Sequence, residues 1–155
     1  MRNSLIIIPL VLFSLILTSQ VRDHNEAEYA FNRAELNIVS NNLDFSDIDP
    51  AEDSIVILNG LILSLRSDYD WKLTVYAEDD FMSDEGYVIP AENLLFSTRL
   101  KPYRSIEKHP VTIITGSRTN RKKEQIIIDF KFDLRNYNTA GIYSTKLYLE
   151  LEPIH

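Results

Sequence analysis

Two runs of carboxylates are the first residues in this chain that could do chemistry. Asp44, Asp47, Asp49, Glu52 and Asp53 form one; Glu78, Asp79, Asp80, Asp84 and Glu85 form the other. Calcium is held by six to eight oxygens from flexible carboxylates and carbonyls, so acidic loops of this kind are candidate calcium ligands. Neither run has the spacing and central glycine of an EF-hand loop. The alternative is a pair of solvated turns that keep the protein soluble and blunt its sheet edges. Glycoside hydrolysis would need two carboxylates about 5–9.5 Å apart in a cleft, and no pair stands out by position. The chain has neither a G-x-S-x-G elbow nor an H-E-x-x-H helix motif. His24 lies in a polar stretch, His109 beside Pro110 and His155 at the terminus, places where a histidine is merely exposed. The sequence therefore assigns no catalytic, cofactor-binding or metal-ligating residue and no cofactor, and the expectation is a non-enzyme.

Aromatic rings and a basic run offer binding rather than catalysis. Tyr69, Tyr76, Tyr87, Tyr103, Tyr137 and Tyr148 fall at turns or on expected wet faces. A ring there is either a stacking platform for a sugar or one half of a cross-strand pair on an outer sheet face. Arg118-Thr119-Asn120-Arg121-Lys122-Lys123 reads as a solvated hairpin tip that could attract an anionic polymer or lipid headgroups. In the segment before the first strand, Ala27, Tyr29 and Phe31 alternate with Glu28, Ala30 and Asn32. That is the pattern a donor strand would need to complete the sheet of a neighbour. Its plain counterpart is a leader or a first strand paired within its own chain.

These residues must be positioned by a chain of 155 residues with no cysteine, 16 Lys+Arg, 23 Asp+Glu and a net charge of −7. Hydrophobic residues make up 45% and charged residues 25%, which fits one folded domain rather than disorder. The acidic balance argues against nucleic acid as a partner, because phosphate backbones are bound by Lys and Arg. Having no cysteine excludes disulfides, thiolate metal sites and Cys nucleophiles.

Arg2, then Leu5 to Leu17 broken only by Pro9 and Ser14, then Thr18 and Ser19, have the order of a secretory signal peptide. The apolar run falls short of the roughly 20 residues of a transmembrane helix. The expected organisation is a signal peptide over 1–20, a polar arm over 21–34 and a β-sandwich domain over 35–155. An uncleaved leader would be the only membrane contact. A mature chain of about 135 residues buries roughly two-thirds of its unfolded surface, enough for one core held by packing alone.

After Arg33 the apolar period is two. Trp71, Leu73, Val75 and Ala77 alternate with Lys72, Thr74, Tyr76 and Glu78. Ile126, Ile128, Phe130, Phe132 and Leu134 alternate with Ile127, Asp129, Lys131, Asp133 and Arg135; Tyr143, Thr145, Leu147, Leu149 and Leu151 do the same. Successive side chains of a strand face opposite ways, so each segment has a dry and a wet face, as antiparallel sheets do. Trp71 belongs to the dry set. Ser54 to Leu65 is nearly all apolar around Asn59-Gly60, a dipeptide that favours a two-residue hairpin, with one long bulged strand as the alternative. Turn clusters fall at 67–70, 83–86, 117–120 and 136–138. The expected fold is all-β, an antiparallel immunoglobulin-like β-sandwich of seven to eight strands, with a small barrel as the competing closure.

The order of these segments resembles exported bacterial surface domains. Leu43-Asp44-Phe45-Ser46-Asp47-Ile48-Asp49-Pro50 is similar to their "L-x-F-G-x-x-x-P" opening, and Ser67 to Val75 to their "S-N-x-x-W-x-L-x-V" step. Pro90-Ala91-Glu92-Asn93-Leu94 resembles "I-P-x-x-x-L", and Ala140 to Leu151 resembles the last strand, "A-G-x-Y-x-x-x-L-x-x-x-L". WxL-type surface proteins and spore-coat-U-like or fimbrial pilins share this layout. The chain has one W-x-L, Trp71-Lys72-Leu73, where the WxL group has a separated pair, and it lacks the cysteine pair of the better-known pilins. The resemblance implies a non-catalytic structural or interaction module, secreted to the cell envelope. Its partners would be other envelope or surface proteins or copies of itself. A pilus-type subunit and a carbohydrate-binding module are the alternatives.

Overall fold

A computed structural model describes residues 34–43, 52–99, 101–120, 122–137 and 140–154. The leader, nearly all of the arm, the carboxylates Asp44, Asp47 and Asp49, and His24, Arg121 and His155 lie outside the described residues. Among the described residues, eleven strands run in chain order. They are β1 Ala34–Asn41, β2 Ser54–Ser67, β3 Trp71–Ala77, β4 Phe81–Ser83, β5 Val88–Ile89, β6 Leu94–Thr98, β7 Arg104–Ser105, β8 Val111–Gly116, β9 Glu124–Asp133, β10 Tyr143–Ser144 and β11 Leu147–Pro153. The one helical element among the described residues is a 3-10 turn over Ala91–Asn93, so no described helix is long and apolar enough to cross a membrane.

Every strand pairing is antiparallel. One sheet has the order β1-β2-β9-β6-β7, a second β11-β3-β8, and a short third β10-β4-β5. The dry faces read from the sequence meet in one core. Leu61, Leu63, Leu65, Ile128, Phe130 and Phe132 from the large sheet pack with Trp71, Leu73, Val75 and Leu149 from the second. This all-β architecture is consistent with a β-sandwich. β9 carries the cleanest alternation, with Ile126, Ile128, Phe130 and Phe132 buried and the residues between them half-buried; β3 follows it except at Thr74, which is buried as well.

The structure resolves the Asn59-Gly60 question in favour of the long strand. β2 pairs with β9 on both sides of the dipeptide, Ile57 opposite Phe130 and Leu61 opposite Ile128, so Leu58, Asn59 and Gly60 bulge against Asp129 alone. Asn59 takes a φ of 53°, and its N–H donates to Asp129 Oδ1 at 2.7 Å. A Cβ on Gly60 would come within 2.9 Å of the Phe130 ring and 3.0 Å of Leu43. The glycine lets a bulge close over the core rather than turn the chain.

A second expectation is corrected. The run after β8 is not a hairpin tip, because β8 pairs with β3 in one sheet while β9 pairs with β2 and β6 in the other. Residues 117–120 and 122–123 carry the chain across from sheet to sheet. They are tied to the β2–β3 crossing, where the Thr119 N–H donates to the Ser67 carbonyl at 2.8 Å and the Ser67 N–H to Thr119 Oγ1 at 3.1 Å.

Trp71 seals this end of the core at 1% exposure. Its indole N–H donates to the Ser117 carbonyl at 3.0 Å. The ring lies over Gly116, its register partner, where an added Cβ would come 2.3 Å from Cζ2.

Candidate functional site

The second acidic run is the first place to look for a site. Its carboxylates are spread around the end of the molecule where β3 runs out. Glu78 Oε1 accepts from the Tyr148 hydroxyl at 2.9 Å, and Glu78 Oε2 lies 3.1 Å from the Lys146 ammonium. Asp80 Oδ2 pairs with Lys108 at 2.9 Å, and its Oδ1 accepts the Ala91 N–H at 3.0 Å. Asp79 accepts from the Asp80 N–H, while Asp84 and Glu85 are exposed on the β4–β5 turn. Among the described residues no three carboxylates or histidines converge as metal ligands would. The lysines are the partners that the sequence alone did not reveal, since Lys108 and Lys146 lie 28 and 68 residues from the acids they meet.

These contacts set the acid–base behaviour of the surface. The Tyr148 hydroxyl and then Lys146 hold Glu78 below the usual carboxylate range. Lys108, followed by the Ala91 amide, lowers Asp80; Arg135 lowers Asp133, which it meets at 2.5 Å. Each carboxyl thus binds protons less readily in the folded chain than in the unfolded one. The stability that they contribute is present above the unfolded carboxylate range, about pH 4, and is lost as pH falls through the lower folded values. Asp80→Asn should therefore flatten the acid limb. Its urea midpoint should fall less than the wild type's between about pH 5 and pH 2, and an identical slope in both proteins would count against the Lys108 pairing.

The tyrosines divide by position. Tyr76 and Tyr148 are register partners on the outer face of the second sheet and stack with centroids 5.1 Å apart and planes 16° apart. The Tyr76 hydroxyl donates to Glu150 at 3.1 Å, and Lys72 and Glu152 meet beside them at 2.7 Å. Each ring gives one face to the other, which is the cross-strand pair rather than a flat platform. Tyr69 and Tyr137 pack against the core. Tyr87 and Tyr103 are exposed at 47% and 37%. His109 is exposed and lies 2.7 Å from Glu107.

What remains for contact is edges and ends. The edge of β8 that meets no described strand is closed by Arg104, whose guanidinium donates to the carbonyls of Thr112 at 2.7 Å and Ile113 at 3.0 Å while lying 4.9 Å above the Phe96 ring. A side chain on those carbonyls keeps another strand from adding there. β11 pairs with β3 on one side and with no described strand on the other. At the Trp71 end the sheets leave a shallow hollow of about 330 Å³, lined by Trp71, Ile114 and Ile126 with Arg99, Lys101 and Glu124 among its polar residues. At the far end the β4–β5 tip, exposed from Asp84 to Val88, stands in open space: nothing lies within 4 Å of where a Gly86 Cβ would be. No family model matches the chain, and neither a curated protein nor a solved structure does.

Proposed function

We propose that the protein is an exported, non-catalytic structural or interaction module of the bacterial cell surface. Its body is an immunoglobulin-like sandwich, and its partners are other envelope or surface proteins or copies of itself. The observation that carries this reading is how the polar side chains are used. The outer-face carboxylates Glu78, Asp80, Asp133 and Glu152 are each held by a neighbouring cation, and the interior is filled by side chains around Trp71, Phe130 and Phe132. Such an arrangement supplies stable surface rather than reactive groups. The immunoglobulin-like topology is supported by β2 passing to β3 and β8 to β9 across the two sheets, as Greek-key sandwiches do. Cell-surface protease treatment of intact producing cells, with N-terminal sequencing of the released fragment, tests export directly. The reading expects cleavage from outside and a first residue near 21; a protected protein that keeps Met1 and stays with the cytosol would end it.

The second reading is a pilus-type subunit assembled by strand exchange, and what favours it is the side of β11 that meets no described strand. There the donor is the alternating segment around Ala27, Tyr29 and Phe31, so polymers should disappear when 21–33 is deleted. For the carbohydrate-binding alternative, Tyr76 and Tyr148 are taken up by each other, which leaves Tyr87 and Tyr103 as the exposed rings a sugar could meet.

A further inference from the structure

The register places a mainly basic and a mainly acidic group of side chains at opposite ends. Trp71 at the start of β3 pairs with Gly116, which leads into Arg118 and on to Lys122 and Lys123. Thr98 ends β6 opposite Ile128, so Arg99 and Lys101 lie at that same end, around the hollow. Ala77 closes β3 at the other end, where Glu78, Asp79 and Asp80 lead into β4 and the exposed tip carries Asp84 and Glu85. Seven residues of strand separate the ends by about 20 Å. That is more than twice the screening length at physiological salt, so the ends act on a partner as separate patches.

The acidic end also carries apolar surface. Met82 and Val88 are register partners on the outer face of the short sheet, exposed at 54% and 46%, and Tyr87 follows the turn beside them. The basic end has the complement. Its hollow has Trp71, Ile114 and Ile126 in its lining and Arg99 and Lys101 beside them. Its volume suits one large side chain, and its cations face the charge that Asp84 and Glu85 would bring. Glu124 lines the hollow as well, so Arg99 and Lys101 leave it with one net positive charge; Asp68 and Asp70 lie at this end too, where Asp70 Oδ1 accepts the Arg118 N–H.

We propose that the β4–β5 tip of one copy, Asp84–Val88, seats in the hollow at the Trp71 end of a second copy, with Tyr87 inserted and Asp84 and Glu85 against Arg99 and Lys101. Because donor and acceptor lie at opposite ends, the contact is heterologous, and repetition gives an open row of copies rather than a closed dimer. The inference rests on the reading of the protein as an interaction module and names its partner. It does not use the arm or the edge of β11.

Sedimentation velocity of the protein as recovered from its own cells, in about 0.02 M and 0.5 M salt, reads the assembly. The wild type should grow with concentration at low salt and lose that growth at high salt. Tyr87→Ser should weaken association about tenfold or more, and Asp84→Lys/Glu85→Lys and Arg99→Glu/Lys101→Glu should each abolish it. All five side chains are exposed, so thermal melts that match the wild type would show that folding is intact. Mixing the two charge-reversed proteins should restore association that neither has alone, because an unaltered acidic tip then meets an unaltered basic hollow. A wild type that stays monomeric at low salt would overturn the proposal, as would association indifferent to both reversals or lost only on deleting 21–33. A protein that associates in this way but is retained in the cytosol would overturn the surface reading and leave the contact standing; an exported monomer would do the reverse.

Discussion

Trp71→Ala should lower the free energy of unfolding by about 3–5 kcal/mol, the range for truncating a large buried aromatic. Trp71 is the largest side chain in the core and is 1% exposed. Its loss removes apolar contacts with both sheets at one end and leaves the Ser117 carbonyl without the indole donor that it has at 3.0 Å. The site has little means of collapsing, because Gly116 beneath the ring has no side chain to move in. Urea unfolding followed by far-UV circular dichroism measures the change. A loss below about 1 kcal/mol, the scale of an ordinary surface substitution, would mean that the ring is not holding the two sheets together.

Gly116→Ala should be damaging too, by a different route and to a smaller extent. The new methyl would lie 2.3 Å from Cζ2 and 2.6 Å from Cε2 of Trp71, well inside contact distance. The indole is rigid, and its N–H is fixed on Ser117, so relief requires the β3–β8 pair to part or the ring to leave its rotamer. Overpacking of this kind costs about 1–3 kcal/mol and occasionally more. Gly116 is not at a positive φ, so the cost is steric rather than conformational. Placing Gly116→Ala in a Trp71→Leu background should recover most of that loss, since neighbours that share one space are strongly coupled. Equal costs in both backgrounds would assign the effect to the strand backbone instead.

The strands with long alternation were legible because each has one dry face: β3, β9 and β11 lie where the period of two places them, and Trp71 is in the core. Three short strands, β4, β5 and β7, were not counted, since two or three residues hold no readable period, and the segment read as one strand from Tyr143 to Leu151 is divided between β10 in the short sheet and β11 in the second. Asn59-Gly60 pointed to a hairpin because the local preference for positive φ is real, and Asn59 adopts it. The residues from Ser54 to Ile57 and from Leu61 to Leu65 then found partners on β9, and tertiary pairing turned a turn signal into a bulge. The basic run looked like a hairpin tip because sequence adjacency does not say which sheet the next strand joins. The candidate surface was legible only in pieces. The acidic run and the basic run were visible, but it is the topology that puts them at opposite ends. Lys108 and Lys146 reach their carboxylates from remote parts of the chain, and Arg104 reaches the edge of β8 across two sheets. No local pattern encodes those meetings.

The claim beneath the rest is that both sheets form one body around one core, with packing alone in place of disulfides. The chain has a single tryptophan, and it sits in the smaller of the two main sheets, so its fluorescence reports that sheet while far-UV circular dichroism reports every strand. Urea unfolding watched by both signals should give transitions with the same midpoint and slope. Two separated midpoints, with the tryptophan released while most strand signal persists, would contradict it.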